Sequence, residues 1–227
     1  NGYNFYNYSV FDFPGKPAHK YEAFLPYGTS LITLNTFTGR IERDFNNSIR
    51  EGKFGSASER NKLVYENLQY NDSTFALTKK AASEKTSSPK FVYSHFMLPH
   101  FPYYFDKDGK ELPIDKLTDF KRTNSSDYIG YLQYGNKKIL SLLDNIFLHS
   151  TKPPVILLLS DHGSRHLNKS EETTNDFVNL NAVYIPGQNY KQFYDSITNV
   201  NQFRALFNTC FAQQLPLLKD SVSDVKF

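Results

Sequence analysis

Apolar and polar positions alternate along the chain in a way that separates strands from helices. Residues 2–13 are aromatic-rich with partial period-two alternation, which predicts a strand closed by Pro14. Leu31, Ile32, Leu34, Phe37 and Ile41 recur at roughly helical spacing, predicting a helix over 31–45. A longer helix is predicted over 58–84, capped by Ser58, with Leu63, Val64, Leu68, Phe75 and Leu77 toward a core. Residues 90–98 follow Pro89 and form a short apolar run, read as a buried strand. The clearest helix covers 126–148: Ser126 and Asp127 offer an N-cap, and Ile129, Leu132, Ile139, Leu143 and Ile146 trace one stripe. Pro153 and Pro154 then break the chain. Residues 155–160 read as a fully buried strand, and 180–185 as another, stopped by Pro186 and Gly187. A closing helix over 200–213 places Phe203, Leu206, Phe207 and Phe211 on one side. Turn-rich stretches at 71–74, 83–89, 121–127 and 164–174 are short.

Strands alternating with helices predict an α/β fold: a largely parallel sheet flanked by helices, in a single domain over 1–227. In such sheets ligands sit beyond the carboxyl ends of strands. Chemistry is therefore sought just after Leu98 and just after Leu159.

Composition narrows the function. A net charge of +3 over 227 residues excludes the strongly basic profile of a nucleic-acid binder. Cys210 is the one cysteine, so an internal disulfide and a cysteine-built zinc site are excluded. The longest apolar run, 155–159, is far short of the roughly 20 residues of a membrane span. The chain begins with Asn1 rather than Met and reads as a piece of something longer. Aromatics reach 16% without a single Trp. That content reflects either compositional bias or a surface that stacks on carbohydrate or touches lipid.

Two strand ends carry candidate chemistry. In Ser160-Asp161-His162-Gly163, a carboxylate and an imidazole emerge side by side, which suits a divalent metal, and the glycine lets the chain turn away. The structural alternative is that Asp161 caps the next segment and His162 is an ordinary loop histidine. In His95-Phe-Met-Leu-Pro99-His100-Phe-Pro102, two prolines stiffen a loop that can hold His100 against an anionic oxygen, or let it carry a proton. The alternative there is a proline-braced turn whose histidines bond to backbone. Arg165 and His166 lie near the first pair, while His19 and His149 read as structural. Asp106, Asp108 and Gly109 look like the start of a calcium loop that lacks its closing glutamate. No nucleophile elbow, Walker loop or dinucleotide fingerprint is present.

Together these segments resemble the sulfatase and alkaline-phosphatase superfamily, closest to membrane-anchored sulfatase-like proteins of the lipoteichoic acid synthase and phosphoethanolamine transferase type. Gly2-Tyr3-Asn-Phe-Tyr-Asn-Tyr8 resembles the family's "GY" strand. Residues 91–106 resemble its strand followed by a His-x-Pro segment. Residues 157–163 resemble its metal-binding strand end, and 197–208 its closing helix. The resemblance implies that Asp161 and His162 are metal ligands and that His100 contacts the substrate's phosphate or glycerol group. It implies one divalent ion (Mn²⁺, Zn²⁺, Ca²⁺ or Mg²⁺) and a Ser, Thr or formylglycine nucleophile attacking a sulfate or phosphate ester, lipid- or glycan-linked substrates included, through a covalent intermediate. It also implies a membrane-anchored parent whose domain faces the periplasm or cell exterior.

The family's nucleophile and first acidic ligand precede the "GY" strand. That strand starts here at residue 2, so both are expected upstream of Asn1, and no catalytic nucleophile is expected in this chain. The expectation is therefore an alkaline-phosphatase-like domain incomplete on its N-terminal side, holding half of a metal site and inactive alone. Thr29 and Ser30 stand on the wrong side of that strand to replace the nucleophile. The competing reading is a non-enzymatic binding or sensor domain that keeps the fold. A weaker one is a two-metal relative of the phosphoglycerate mutase or nucleotide pyrophosphatase type.

Overall fold

The computed structural model describes residues 2–19, 36–119, 125–164 and 177–221. The chain divides into two compact units, residues 1–151 and 152–227. In the first, β1 (Asn4–Tyr8) pairs in parallel with β2 (Lys90–Ser94), with Asn4 beside Lys90 and Tyr8 beside Ser94. Between them run α1 (Phe37–Arg50), α2 (Ala57–Val64) and α3 (Glu66–Ser83), and after them the short α4 (Ile114–Thr118) and the 25-residue α5 (Ser125–His149). In the second unit, β3 (Ile156–Leu159) pairs with β4 (Asn181–Tyr184), followed by α6 (Asn199–Cys210).

The α/β class and the parallel pairing of the first two strands match the sequence reading. The second pair differs in direction. Leu159 lies beside Asn181, so β4 starts where β3 ends and the two run antiparallel. A parallel partner would have had to cross back to the start of β3 first. Both pairs are also less buried than expected. Phe91 in β2 is 45% exposed, and so is Val155 just before β3. Each strand has one hydrogen-bonded neighbour among the described residues, which leaves an edge open. β1 is shorter than 2–13; beyond it Phe13 bridges back to Lys16.

The helix expected over 31–45 is found as Phe37–Arg50, with the Thr36 hydroxyl accepting from the Gly39 amide; residues 31–35 lie outside those described. The helix expected over 58–84 is two helices. The first begins just before Ser58, at a capping box in which Ser56 and Glu59 exchange hydrogen bonds. It breaks at Tyr65, where the Tyr104 hydroxyl donates to the Val64 carbonyl (2.7 Å) and meets the Leu68 amide. A side chain placed inside the i to i−4 ladder interrupts a helix.

Tyrosines build the first unit's core. Tyr103, Tyr104 and Tyr131 are buried with Val64 and Leu117, and their rings pack edge-on or tilted. Burial drives the Tyr131 and Tyr104 phenols well above their usual range, so both stay neutral and Tyr104 keeps its proton for the Val64 carbonyl. Past the end of α3, the Lys90 ammonium reaches the carbonyls of Ala81 and Glu84 and complements the negative helix terminus. In the second unit Ile185, Ile197 and Ala205 are buried.

Candidate functional site

The segment after β2 is fastened to α3 and α5. Tyr70 donates its hydroxyl to the His95 carbonyl (2.8 Å), and Asn71 accepts the Met97 amide on Oδ1 (2.8 Å). Leu98 presses against Gly135 of α5, where an added Cβ would stand 3.1 Å from its side chain and would push Leu98 back by a few tenths of an ångström. These contacts leave His100 exposed at the tip, between the cis bonds Leu98–Pro99 and Phe101–Pro102. Its Nδ1 lies 2.6 Å from the Phe101 carbonyl. A carbonyl only accepts, so Nδ1 carries the proton and Nε2 is left for a ligand.

The end of β3 carries the other candidates. The Ser160 amide donates to Leu180 (2.9 Å), and Leu180 returns a bond to the Ser160 hydroxyl (2.7 Å). The Ser160 carbonyl accepts from both Asn179 and Asn199, each at 2.9 Å. Immediately beyond, Asp161 Oδ1 accepts the His162 amide (3.0 Å), and His162 Nδ1 lies 2.6 Å from the Gly163 carbonyl. This again places the proton on Nδ1 and the lone pair on Nε2. That Nε2 is 3.8 Å from Asp161 Oδ2. Asp161 is 76% exposed and His162 38%, so the pair opens to solvent.

The donor pair is within reach of a divalent cation. Metal–nitrogen and metal–oxygen bonds of about 2.0–2.2 Å place two donors of a tetrahedral ion about 3.4 Å apart, a separation the 3.8 Å pair reaches by a small turn of the exposed Asp161 side chain. The bond from Nδ1 to Gly163 is the kind of outer contact that orients a ligating imidazole. Stable sites use three protein ligands or more, and among the described residues no third His, Cys, Asp or Glu joins this pair.

Asp161 and His162 are thus brought together, while His100 belongs to the other compact unit. The described residues begin at Gly2, so Asn1, and with it the nucleophile and acidic ligand expected upstream of Asn1, lies outside them. Arg165 and His166, like Thr29 and Ser30, also lie outside the described residues. His19 bonds Ser73 through Nε2 (2.8 Å), and His149 bonds the Asn145 carbonyl in its own helix, both as structural residues do. Asp106 turns its carboxylate onto the amides of Asp108 and Lys110, closing its own turn. The asparagines at Ser160 escaped the sequence reading. Their role depends on a carbonyl 19 and 39 positions away, and the only local hint is Asn199 at a helix start.

Among the described residues no helix is long and apolar enough to cross a membrane. Searches of characterised proteins and of solved structures return no significant match. The sulfatase family profile matches residues 18–205, a span holding His100, Asp161 and His162. With most of its length matched and an α/β fold to go with it, the chain belongs to the sulfatase family.

Proposed function

We propose that this chain contributes to the metal-dependent cleavage or transfer of sulfate or phosphate esters, with Asp161 and His162 as donors to one divalent cation; for His100, in the other unit, the family resemblance supports a contact to an ester's anionic oxygens. The observation that carries this is the pair itself: an imidazole whose Nδ1 is held by the Gly163 carbonyl and whose Nε2 stands 3.8 Å from a carboxylate oxygen, at the mouth of a strand. The Gly163 carbonyl keeps the ring in the ligating tautomer, and Asp161 adds the negative charge that a cation requires. His100, with Nδ1 held by Phe101, presents Nε2; protonated, it donates to an anionic oxygen and offsets its charge. When bound, the cation would polarise the ester and stabilise developing negative charge. The remaining ligands and the Ser, Thr or formylglycine nucleophile are assigned to residues other than these. The resemblance also supports a membrane-anchored parent, with the domain on the periplasmic or outer side and substrates that include lipid- or glycan-linked esters.

Calorimetric titration with Mn²⁺ and with Zn²⁺ tests the donors. The wild-type chain binds one ion weakly, and Asp161→Asn and His162→Ala each lower the affinity at least tenfold. Equal affinity in all three proteins would remove these residues from the site. In the full-length protein, metal-dependent turnover of nitrophenyl sulfate or phosphate, or of a lipid-linked donor, is expected. Intact metal binding with no turnover of any of these would instead assign the chain a binding or sensor role.

A further inference from the structure

We propose that Asn199, with Asn179 beside it, is a positioning residue for the Asp161–His162 pair, acting through the Ser160 carbonyl. This rests on the reading of that pair as metal donors. Two side-chain amides at 2.9 Å occupy both lone pairs of one carbonyl, and Asn179 also donates to Asn199 Oδ1 (3.2 Å), so the two amides lock each other. That carbonyl belongs to the planar peptide joining Ser160 to Asp161. Fixing it holds the plane from which the Asp161 Cα departs and so narrows the directions open to the Asp161 side chain, whose Oδ1 in turn accepts the His162 amide.

The support behind Asn199 is continuous. It is the first residue of α6, and the C-terminal segment holds the start of that helix. Asp220 Oδ1 accepts the Thr198 amide (2.9 Å) and Asn201 Nδ2 (3.0 Å), and Tyr194 donates to its other oxygen. Asn201 exchanges two hydrogen bonds with the Leu218 backbone, and Asn208 two with Leu215. Gln202 and Asn181 tie the same helix to β4. The strand end carrying the donors is thereby held by a helix that is itself strapped along its length.

Asn199→Asp separates positioning from helix support. It is isosteric, removes the Nδ2 donor, and puts a carboxylate where the helix dipole favours one. A residue that merely starts a helix would give an unchanged or higher melting temperature and, with a negative charge added nearby, an unchanged or higher Mn²⁺ affinity. Positioning predicts the opposite for the metal: a fall of about tenfold or more, with helix content retained. In the metal-free protein it also predicts that the backbone amide resonances of Asp161, His162 and Gly163 shift or broaden while those of the first unit stay in place. Asn179→Asp, outside the helix, should act in the same direction and serves if Asn199→Asp unfolds. Undiminished Mn²⁺ affinity, or unmoved resonances at 161–163, would overturn the proposal. If the wild-type chain binds no Mn²⁺, the donor reading falls by itself, and the metal-free resonances alone decide the positioning.

Discussion

Asp220 gathers three partners on one carboxylate, all of them donors. The Thr198 side chain and the Tyr194 hydroxyl, with the Thr198 amide, hold its pKa down to about 2. A carboxylate whose pKa is lowered by folding adds stability above its ordinary value, and that contribution is lost as pH falls through the lowered one. The margin between wild type and Asp220→Asn in thermal unfolding should therefore be constant at neutral pH and shrink between about pH 4 and pH 2. A margin that stays constant down to pH 2 would mean the carboxylate's charge is not what holds α6. Tyr70 shows the opposite sign at the other end of the scale. Burial, the largest cause, pushes its phenol up to about 12, so it remains a neutral donor to the His95 carbonyl at every pH at which the protein is handled.

At the scale of elements, α6 ends in an unfavourable backbone. Ala212, just past its last turn, has φ of +51°, a conformation that costs a residue with a Cβ about 1 kcal/mol and glycine almost nothing. Ala212→Gly should raise stability by about 1 kcal/mol in denaturant unfolding, with no change in helix content. Elements specified locally were readable in advance. The bounds read for α5, 126–148, hold to within a residue, although the face it buries carries Tyr131, Gly135 and Leu142 rather than Ile129; β3 and the strand-end pair stand out from the run before Gly163, and β4 from the run before Pro186. Elements set by distant partners were not. The break between α2 and α3 is made by Tyr104, 40 positions from the Val64 carbonyl it captures, and nothing in residues 58–84 announces it. The antiparallel course of β4 and the two asparagines at Ser160 are likewise decided by contacts across the fold rather than by spacing. The aromatic excess is divided between surface and core: Phe37, Phe45, Phe54 and Phe211 are exposed, while Tyr103, Tyr104 and Tyr131 are core residues whose rings fill volume, a division that composition alone does not give.

At the scale of the molecule, the two units differ in how much they bury. The first rests on α3, which buries six residues from Tyr70 to Ala81, packed with α5. Among the described residues, the second rests on a four-residue strand pair and the buried face of α6, which includes the polar Asn201 and Gln202. Local opening costs least where few apolar contacts must be broken. Hydrogen–deuterium exchange should therefore be slowest in α3 and α5 and measurably faster in β3 and β4. Equal protection in the two would show that the second unit draws its stability from elsewhere.

The backbone clasp that runs from Asn208 to Asp220 has a practical corollary for anyone preparing this protein. The family match stops at residue 205, inside α6 (Asn199–Cys210), whereas Leu215, Leu218 and Asp220 lie past it. Trimming the gene at the homology limit would sever the helix mid-turn and strip Asn201 of the groups it grips, so a sound expression boundary falls after Asp220.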